Sequence, residues 1–230
     1  MITVRSGDAR GRGNHGWLNS RHSFSFADYY DPAHMGYSAL RVINEDQVAP
    51  GAGFGTHGHR DMEIISYVLD GVIAHKDSEG NVQQLPVGEF QLMSAGSGIR
   101  HSEYNASESR GLRFLQIWIE PNQLGGKPGY QQKDFGQRNG LTLVTSPNGV
   151  EGSLTLRQDA RLYQLLLDPQ QQLTHVTEPG RRQYVHLIGG QLTVGQTPLN
   201  PGDGAKIEGL AQLSLRSGKA PVQALLFDLP

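Results

Sequence analysis

The chain has 230 residues, with 20 Lys and Arg against 22 Asp and Glu for a formal charge of −2, and it contains no Cys. The charge balance excludes the broad basic footprint of a protein that lives on nucleic acid or anionic membrane, and the missing thiols exclude disulfides, thiolate metal sites, Fe–S clusters and a Cys nucleophile. The opening MITVRSGDARGRGNHGW carries no apolar signal core and no later run approaches the roughly 18 residues of a membrane helix, so a soluble, cytoplasmic protein is expected.

Thirty Gly and twelve Pro spread along the chain predict frequent turns between short strands. In chain order, the segment with His15, Trp17, His22, Phe24, Phe26, Tyr29, Tyr30 and His34 is rich in aromatic and turn residues and reads as packing, with a stretch over a barrel mouth that touches substrate as the alternative. Glu63 to Asp70 is β-branched, aromatic and short, and it runs as a strand into Gly71. Val72 to His75 and Val82 to Leu85 flank a polar hairpin loop, Asp77 to Asn81. Phe114 to Ile119 is a third strong strand, stopped by Pro121. The polar, Gly- and Gln-rich stretch from Pro121 to Gly140 reads as the connection between two lobes. Tyr163 to Leu167 is apolar but short, and Pro169 limits any helix there. Tyr67 to Gly71 is echoed by Tyr184 to Gly190, and Pro86 to Glu89 by Asn200 to Asp203. That repetition suggests a duplicated β unit, with lobes at residues 1–135 and 136–230.

Thr56-His57-Gly58-His59 places two imidazoles at i and i+2, which share one face of a strand. Arg100-His101-Ser102-Glu103 repeats the spacing with an imidazole and a carboxylate. On neighbouring strands, His57, His59, His101 and Glu103 would converge. Three neutral nitrogens and one carboxylate suit Fe(II), Mn(II), Ni(II), Cu(II) or Zn(II), with one or two positions left open for chemistry. The frame raises the signal: Gly51 to Gly71 reads G-x5-H-x-H-x3-E-x7-G, and Gly88 to Asn105 reads G-x7-G-x-G-x2-H-x3-N.

These frames resemble the two motifs of the cupin superfamily, small jelly-roll β-barrels that hold a metal inside. The usual pattern has its Glu one residue further on than Glu63 and a Pro in the place of Gly96; both departures favour Glu103 over Glu63 as the carboxylate ligand. The stretches GFGTHGHRDMEIISYVLDGVIAHKDSEGN and PVGEFQLMSAGSGIRHSEYN, with the upstream HSFSFADYYDP and LRVINED, resemble the pirin family. The likeness runs closely through roughly the first 120 residues and loosely beyond. It is nearest to bacterial pirins with quercetin 2,3-dioxygenase activity.

The resemblance implies an all-β bicupin, two jelly-roll lobes packed against each other. It implies one divalent metal, Fe(II) before Mn, Ni, Cu or Zn, held in the first lobe by His57, His59, His101 and Glu103. It implies a flavonol and O2 as substrates, ring cleavage and release of carbon monoxide. Glu103 is assigned a second role as general base for the flavonol 3-hydroxyl. Aligning the echo sets Val176 against His57, Glu178 against His59 and Leu215 against His101, so the second lobe is expected to bind no metal despite His175 and His186.

His75 and Asp77 read as loop stabilisers before second-layer partners of the site, and Asp61 and Glu63 as solvent-facing or salt-bridged groups before acceptors for an imidazole. Arg60 and Arg100 are not assigned to substrate. Phe54, Met93, Phe114 and Trp118 are pocket-wall candidates by strand position. No nucleic-acid or membrane partner is expected, and a monomer is. Two other readings compete: a metal-containing pirin that binds regulatory proteins, and a cupin enzyme acting on another small substrate.

Overall fold

The computed structural model describes residues 1–230, and it contains no α-helix. The chain divides into two compact units, Gly11–Gly136 with Leu156–Gln158, and Met1–Arg10 with Gln137–Thr155 and Asp159–Pro230.

After β1 (Ile2–Arg5), the first unit is built from β2 (Gly11–Asn14), β3 (Leu18–His22), β4 (Leu40–Val48), β5 (Gly53–His59), β6 (Glu63–Asp70), β7 (Val72–Asp77), β8 (Val82–Pro86), β9 (Glu89–Ser94), β10 (Ile99–Asn105), β11 (Leu112–Ile119) and β12 (Gly129–Asp134). They form a seven-stranded sheet, β12-β9-β6-β11-β4-β3-β2, and a four-stranded sheet, β5-β10-β7-β8, all antiparallel. One apolar cluster joins the two sheets: Val68, Leu112 and Phe114 from the larger meet Ile73 and Leu85 from the smaller. Each fully buried side chain of this size contributes about 1.5–3 kcal/mol.

The second unit repeats the plan with β13 (Gly140–Ser146), β14 (Leu154–Thr155), β15 (Arg161–Leu167), β16 (Gln172–Val176), β17 (Arg182–Gly189), β18 (Leu192–Val194), β19 (Thr197–Leu199), β20 (Gly204–Glu208), β21 (Gln212–Ser217) and β22 (Val222–Leu229). Its sheets run β1-β20-β17-β22-β15-β13-β14 and β16-β21-β18-β19. The smaller sheet has the same order as β5-β10-β7-β8, each strand advanced by eleven, and β20-β17-β22-β15 matches β9-β6-β11-β4 in the same way. The duplication seen as an echo of turns is therefore a duplication of topology, and the molecule is a bicupin.

The structure departs from three of the sequence expectations. Residues 1–10 were placed in the first lobe, but β1 pairs with β20 of the second unit, Ile2 opposite Ile207 and Arg5 opposite Gly204. The stretch read as a connection contains β12, whose Gly129–Asp134 pairs along β9 and sets Tyr130 beside His75, and the chain passes between the units after Arg10, Gly136, Thr155 and Gln158. Tyr163–Leu167, where little room for a helix was expected, is strand, and its inward Leu165 and Leu167 join the core of the second unit. The echo alignment also slips on β16: Val176 is exposed, and it is Leu173 that pairs with Leu215 as His57 pairs with His101, with His175 opposite Leu213.

Candidate metal centre

The inward rows of the first unit are layered. On β6 they run Ile64, Ser66, Val68, and on β11 Phe114, Gln116, Trp118. Ile64 and Trp118 join Met62, Met93, Ala95 and Ile99 in one apolar cluster, while Val68 and Phe114 belong to the other. The layer between them is polar and must satisfy its own hydrogen bonds, because an unpaired buried polar group costs roughly 1–3 kcal/mol. Glu103, 2 % exposed, completes it: Oε1 accepts from Ser66 Oγ at 3.1 Å and Oε2 from Gln116 Nε2 at 2.8 Å. Neither Ser66 nor Gln116 stood out in the sequence, although each interrupts an apolar inward row with a single polar residue.

The imidazoles stand beside this carboxylate. β5 and β10 pair with His101 opposite His57 and Ile99 opposite His59, so both β5 rings lie on the face that His101 occupies. The register then shifts, and Glu103 lies opposite Phe54, a β-bulge that re-aims the strand next to the site. Glycine at position 53 permits the close approach, since a Cβ there would collide with the Glu103 carbonyl oxygen. Gly96 explains the departure from the usual motif: its φ of +50° is outside the range that proline can adopt.

His57 Nδ1 donates to the Gly55 carbonyl oxygen at 2.8 Å, which fixes the proton on Nδ1 and leaves the Nε2 lone pair free. That Nε2 lies 3.1 Å from His101 Nε2. The His59 ring is centred 4.8 Å from His57 and 5.0 Å from His101. Burial pushes His59 down to about 4 and His101 to about 3, and the neighbouring imidazoles push in the same direction. Both rings are therefore neutral near pH 7 and keep a lone pair to offer.

The donor atoms of His57, His59 and His101 fall within 4.8 Å of one another, as do those of His75, His101 and Glu103. A neutral His101 can donate its Nε2–H across this gap to the His57 lone pair, and an ion shared by the two nitrogens would take that proton's place. Three imidazole nitrogens with a carboxylate nearby fit a divalent transition ion.

On the other side of Glu103, His75 lies directly opposite it on β7, and Asp77 opposite His101. His75 Nε2 and Asp77 Oδ2 are 2.9 Å apart, both side chains wholly buried. Burial raises Asp77, but donation from His75 and Asn81 outweighs it and holds the carboxyl below its usual range. Asp77 also accepts from the Glu79 and Asn81 backbone N–H groups, so it braces the hairpin loop while its partner imidazole backs the site.

The remaining sequence candidates lie elsewhere. Glu63 faces away and accepts from Ser94 Oγ at 2.9 Å and the Arg157 N–H at 3.2 Å, buried rather than solvent-facing. Arg60 is exposed and pairs with Asp61, and Arg100 is also exposed.

A cavity of about 410 Å³ opens beside the imidazoles, with His57 and His59 in its wall. Its aromatic sides are Trp17 against Phe54, ring centres 5.2 Å apart, and Phe26 against Trp118, 5.3 Å apart. Phe54 and Trp118 thus occupy the wall positions expected of them, while Met93 and Phe114 are wholly buried in the apolar clusters. The N-terminal aromatic segment does more than pack: Trp17, His22 and Phe26 line the cavity. Asp46 lines it too, and burial, opposed by its hydrogen bond from Ser20, pushes its carboxyl up to about 7.

The fold and this donor set define a metal-binding cupin. Residues 4–119 match the pirin family model and residues 143–229 the model of the quercetinase C-terminal cupin domain. The chain is 47% identical over 230 residues to the quercetin 2,3-dioxygenase of Escherichia coli, covering 100% of this chain and 99% of that one. It is 45% identical to a putative quercetin 2,3-dioxygenase of Pasteurella multocida over 100% of both chains. The crystal structure of the bacterial pirin YhhW from Escherichia coli in complex with nickel(II) matches with a TM-score of 0.97 at 47% identity, covering 100% of this chain and 99% of that one. The chain belongs to the pirin family and is a metal cupin enzyme.

Proposed function

We propose that the protein is a dioxygenase that opens the flavonol ring of quercetin with O2 and releases carbon monoxide, using one Fe(II) ion held by His57, His59, His101 and Glu103. The observation that carries this reading is the gathering of His57, His59 and His101 within reach of one ion, with His101 also close to the buried Glu103 and with His57 and His59 in the wall of an aromatic cavity of flavonol size. A divalent ion bound there supplies the Lewis acidity that makes the flavonol 3-hydroxyl easier to ionise.

The chain's own residues do the rest. Glu103 takes the 3-hydroxyl proton while Ser66 and Gln116 hold its carboxylate in place. His57 is locked in the Nδ1–H tautomer by Gly55, so its lone pair is oriented without cost at the moment of binding. The aromatic walls hold the flat substrate and exclude water from the electron-rich anion. In the second unit, Leu173, Leu213 and Leu215 stand on the strands that match β5 and β10, and we assign that unit no metal. No helix is long and apolar enough to cross a membrane; action on a small substrate as a cytoplasmic monomer is part of the same reading.

The test is to strip the protein with chelator, reload it anaerobically with Fe(II), Mn(II), Ni(II), Cu(II) or Zn(II) separately, and measure oxygen uptake, quercetin loss and carbon monoxide. Metal-dependent carbon monoxide release that is lost in His101→Ala is the expected result. Glu103→Gln should retain more metal than activity; equal loss of both would reduce Glu103 to a ligand only. Loaded protein that neither consumes oxygen nor turns over quercetin would sink the dioxygenase reading.

A further inference from the structure

The cavity has a second chemical face, separate from the imidazoles. Across β3 and β4, Ser20 pairs with Asp46 and His22 with Asn44, and all four side chains line the cavity. His22 Nδ1 donates to Asn44 Oδ1 at 2.8 Å, and Ser20 Oγ donates to Asp46 Oδ1. Ser20 is the only hydrogen-bond partner of the Asp46 carboxyl, and the second oxygen, Oδ2, accepts nothing from the protein. No lysine or arginine lines the cavity, and Asp46 forms no ion pair.

A carboxyl that is 2 % exposed, without a cation and with one oxygen unused, is costly for stability. The neighbouring inward position on β4, Val48, is apolar and packs in the core, so an apolar side chain at position 46 would suit the barrel equally well. What Asp46 offers instead is an oxygen on the wall of a cavity whose other surfaces are aromatic. Such a group binds hydroxyls, whether by accepting from them or by donating to them, and hydrogen bonds to it discriminate strongly against analogues that lack the hydroxyl.

We propose that Asp46, oriented by Ser20, binds ring hydroxyls on the part of the flavonol that lies away from the metal ligands, and so selects polyhydroxylated flavonols over bare ones. Asp46 is a specificity-determining residue here and takes no part in ring opening. This inference rests on the flavonol reading above.

The test compares quercetin with 3-hydroxyflavone, which keeps the metal-binding 3-hydroxyl and 4-carbonyl but lacks every other hydroxyl. Metal-loaded wild type, Asp46→Leu and Ser20→Ala are titrated anaerobically with each compound, following its absorbance shift, after metal content has been matched. Wild type should prefer quercetin by about tenfold or more, the size of one hydrogen bond to a carboxyl. Asp46→Leu, which keeps the branched shape and removes both oxygens, should bring the two dissociation constants to within about twofold by weakening quercetin alone, and Ser20→Ala should lower the preference in part. An unchanged preference in Asp46→Leu, or an equal loss for both compounds, overturns the inference while leaving the flavonol reading intact. Failure of wild type to bind either compound overturns both.

Discussion

At the scale of single residues, the centre depends on side chains outside the set proposed to hold the ion. The two oxygens of Glu103 are each held by one donor, Ser66 Oγ and Gln116 Nε2. Removing the shorter of these bonds leaves a buried carboxylate oxygen unpaired and free to rotate. Gln116→Leu, close in volume, should therefore weaken divalent metal binding by about 10- to 100-fold, measured by competition with a chromogenic chelator. Ser66→Ala, which loses the longer bond, should weaken it less. Metal affinity unchanged in Gln116→Leu would mean that Glu103 is positioned by its backbone alone.

The strand that carries a ligand matters as much as the ligand. β5 lies against β10 closely enough at Gly53 that any Cβ would strike the carbonyl of Glu103. Gly53→Ala should push the strands apart at the bulge, with a loss of about 1–3 kcal/mol in chemical denaturation and a parallel loss of metal affinity as His57 moves away from His101. Normal stability and normal affinity together would show that the bulge can absorb the methyl group.

The same strands show how far the residues could be read in advance. His57, His59, His101 and Glu103 were legible because an i, i+2 spacing on a strand needs no tertiary information to place two side chains on one face. Ser66, Gln116 and Asp46 were not, because each is a lone polar residue in an inward row, and only the neighbouring strands decide whether that is a loop, a flaw or a buried partner. For the N-terminal aromatics, packing and substrate contact could not be told apart for a similar reason: nothing within the segment tells that Phe26 meets Trp118 at the cavity wall, almost a hundred positions later. β12 was hidden by its composition, for Gly and Gln signal a loop until β9 offers a partner.

At the scale of the whole molecule, buried ionisable groups set opposing trends with pH. His186 in the second unit is wholly buried, and burial first, then the Arg10 charge, lowers it to about 3. The unfolded chain takes up that proton near pH 6.5 and the folded one does not, so stability from this group is full above about 6.5 and is lost as pH falls toward 3. Asp46 works the other way. Its folded carboxyl holds a proton up to about 7 where the unfolded one releases it near 3.8, so its contribution is full below 3.8 and is lost as pH rises toward 7. In metal-free protein between pH 4 and 6.5, His186→Phe should make stability fall more steeply as pH rises, and Asp46→Asn should make it fall more steeply as pH drops. Each change is worth up to about 1.4 kcal/mol per pH unit, read from urea midpoints. Equal slopes in both variants and the parent would show that neither group carries its proton as described.

The pairing of β1 with β20 sets an order in time. Ile2 waits on Ile207, so an edge strand made early during synthesis stays unpaired until most of the chain has emerged. The first unit draws only on Gly11–Gly136 and the short Leu156–Gln158 stretch, so it can close well before that. Joining so distant a strand carries a loop-closure cost that sequential hairpins avoid, which makes docking of β1 a late event and its edge the piece most open to capture by another chain in the interval. The unit that holds His57, His59, His101 and Glu103 is thus the part of the molecule least exposed to errors in assembly, and the other unit carries that risk.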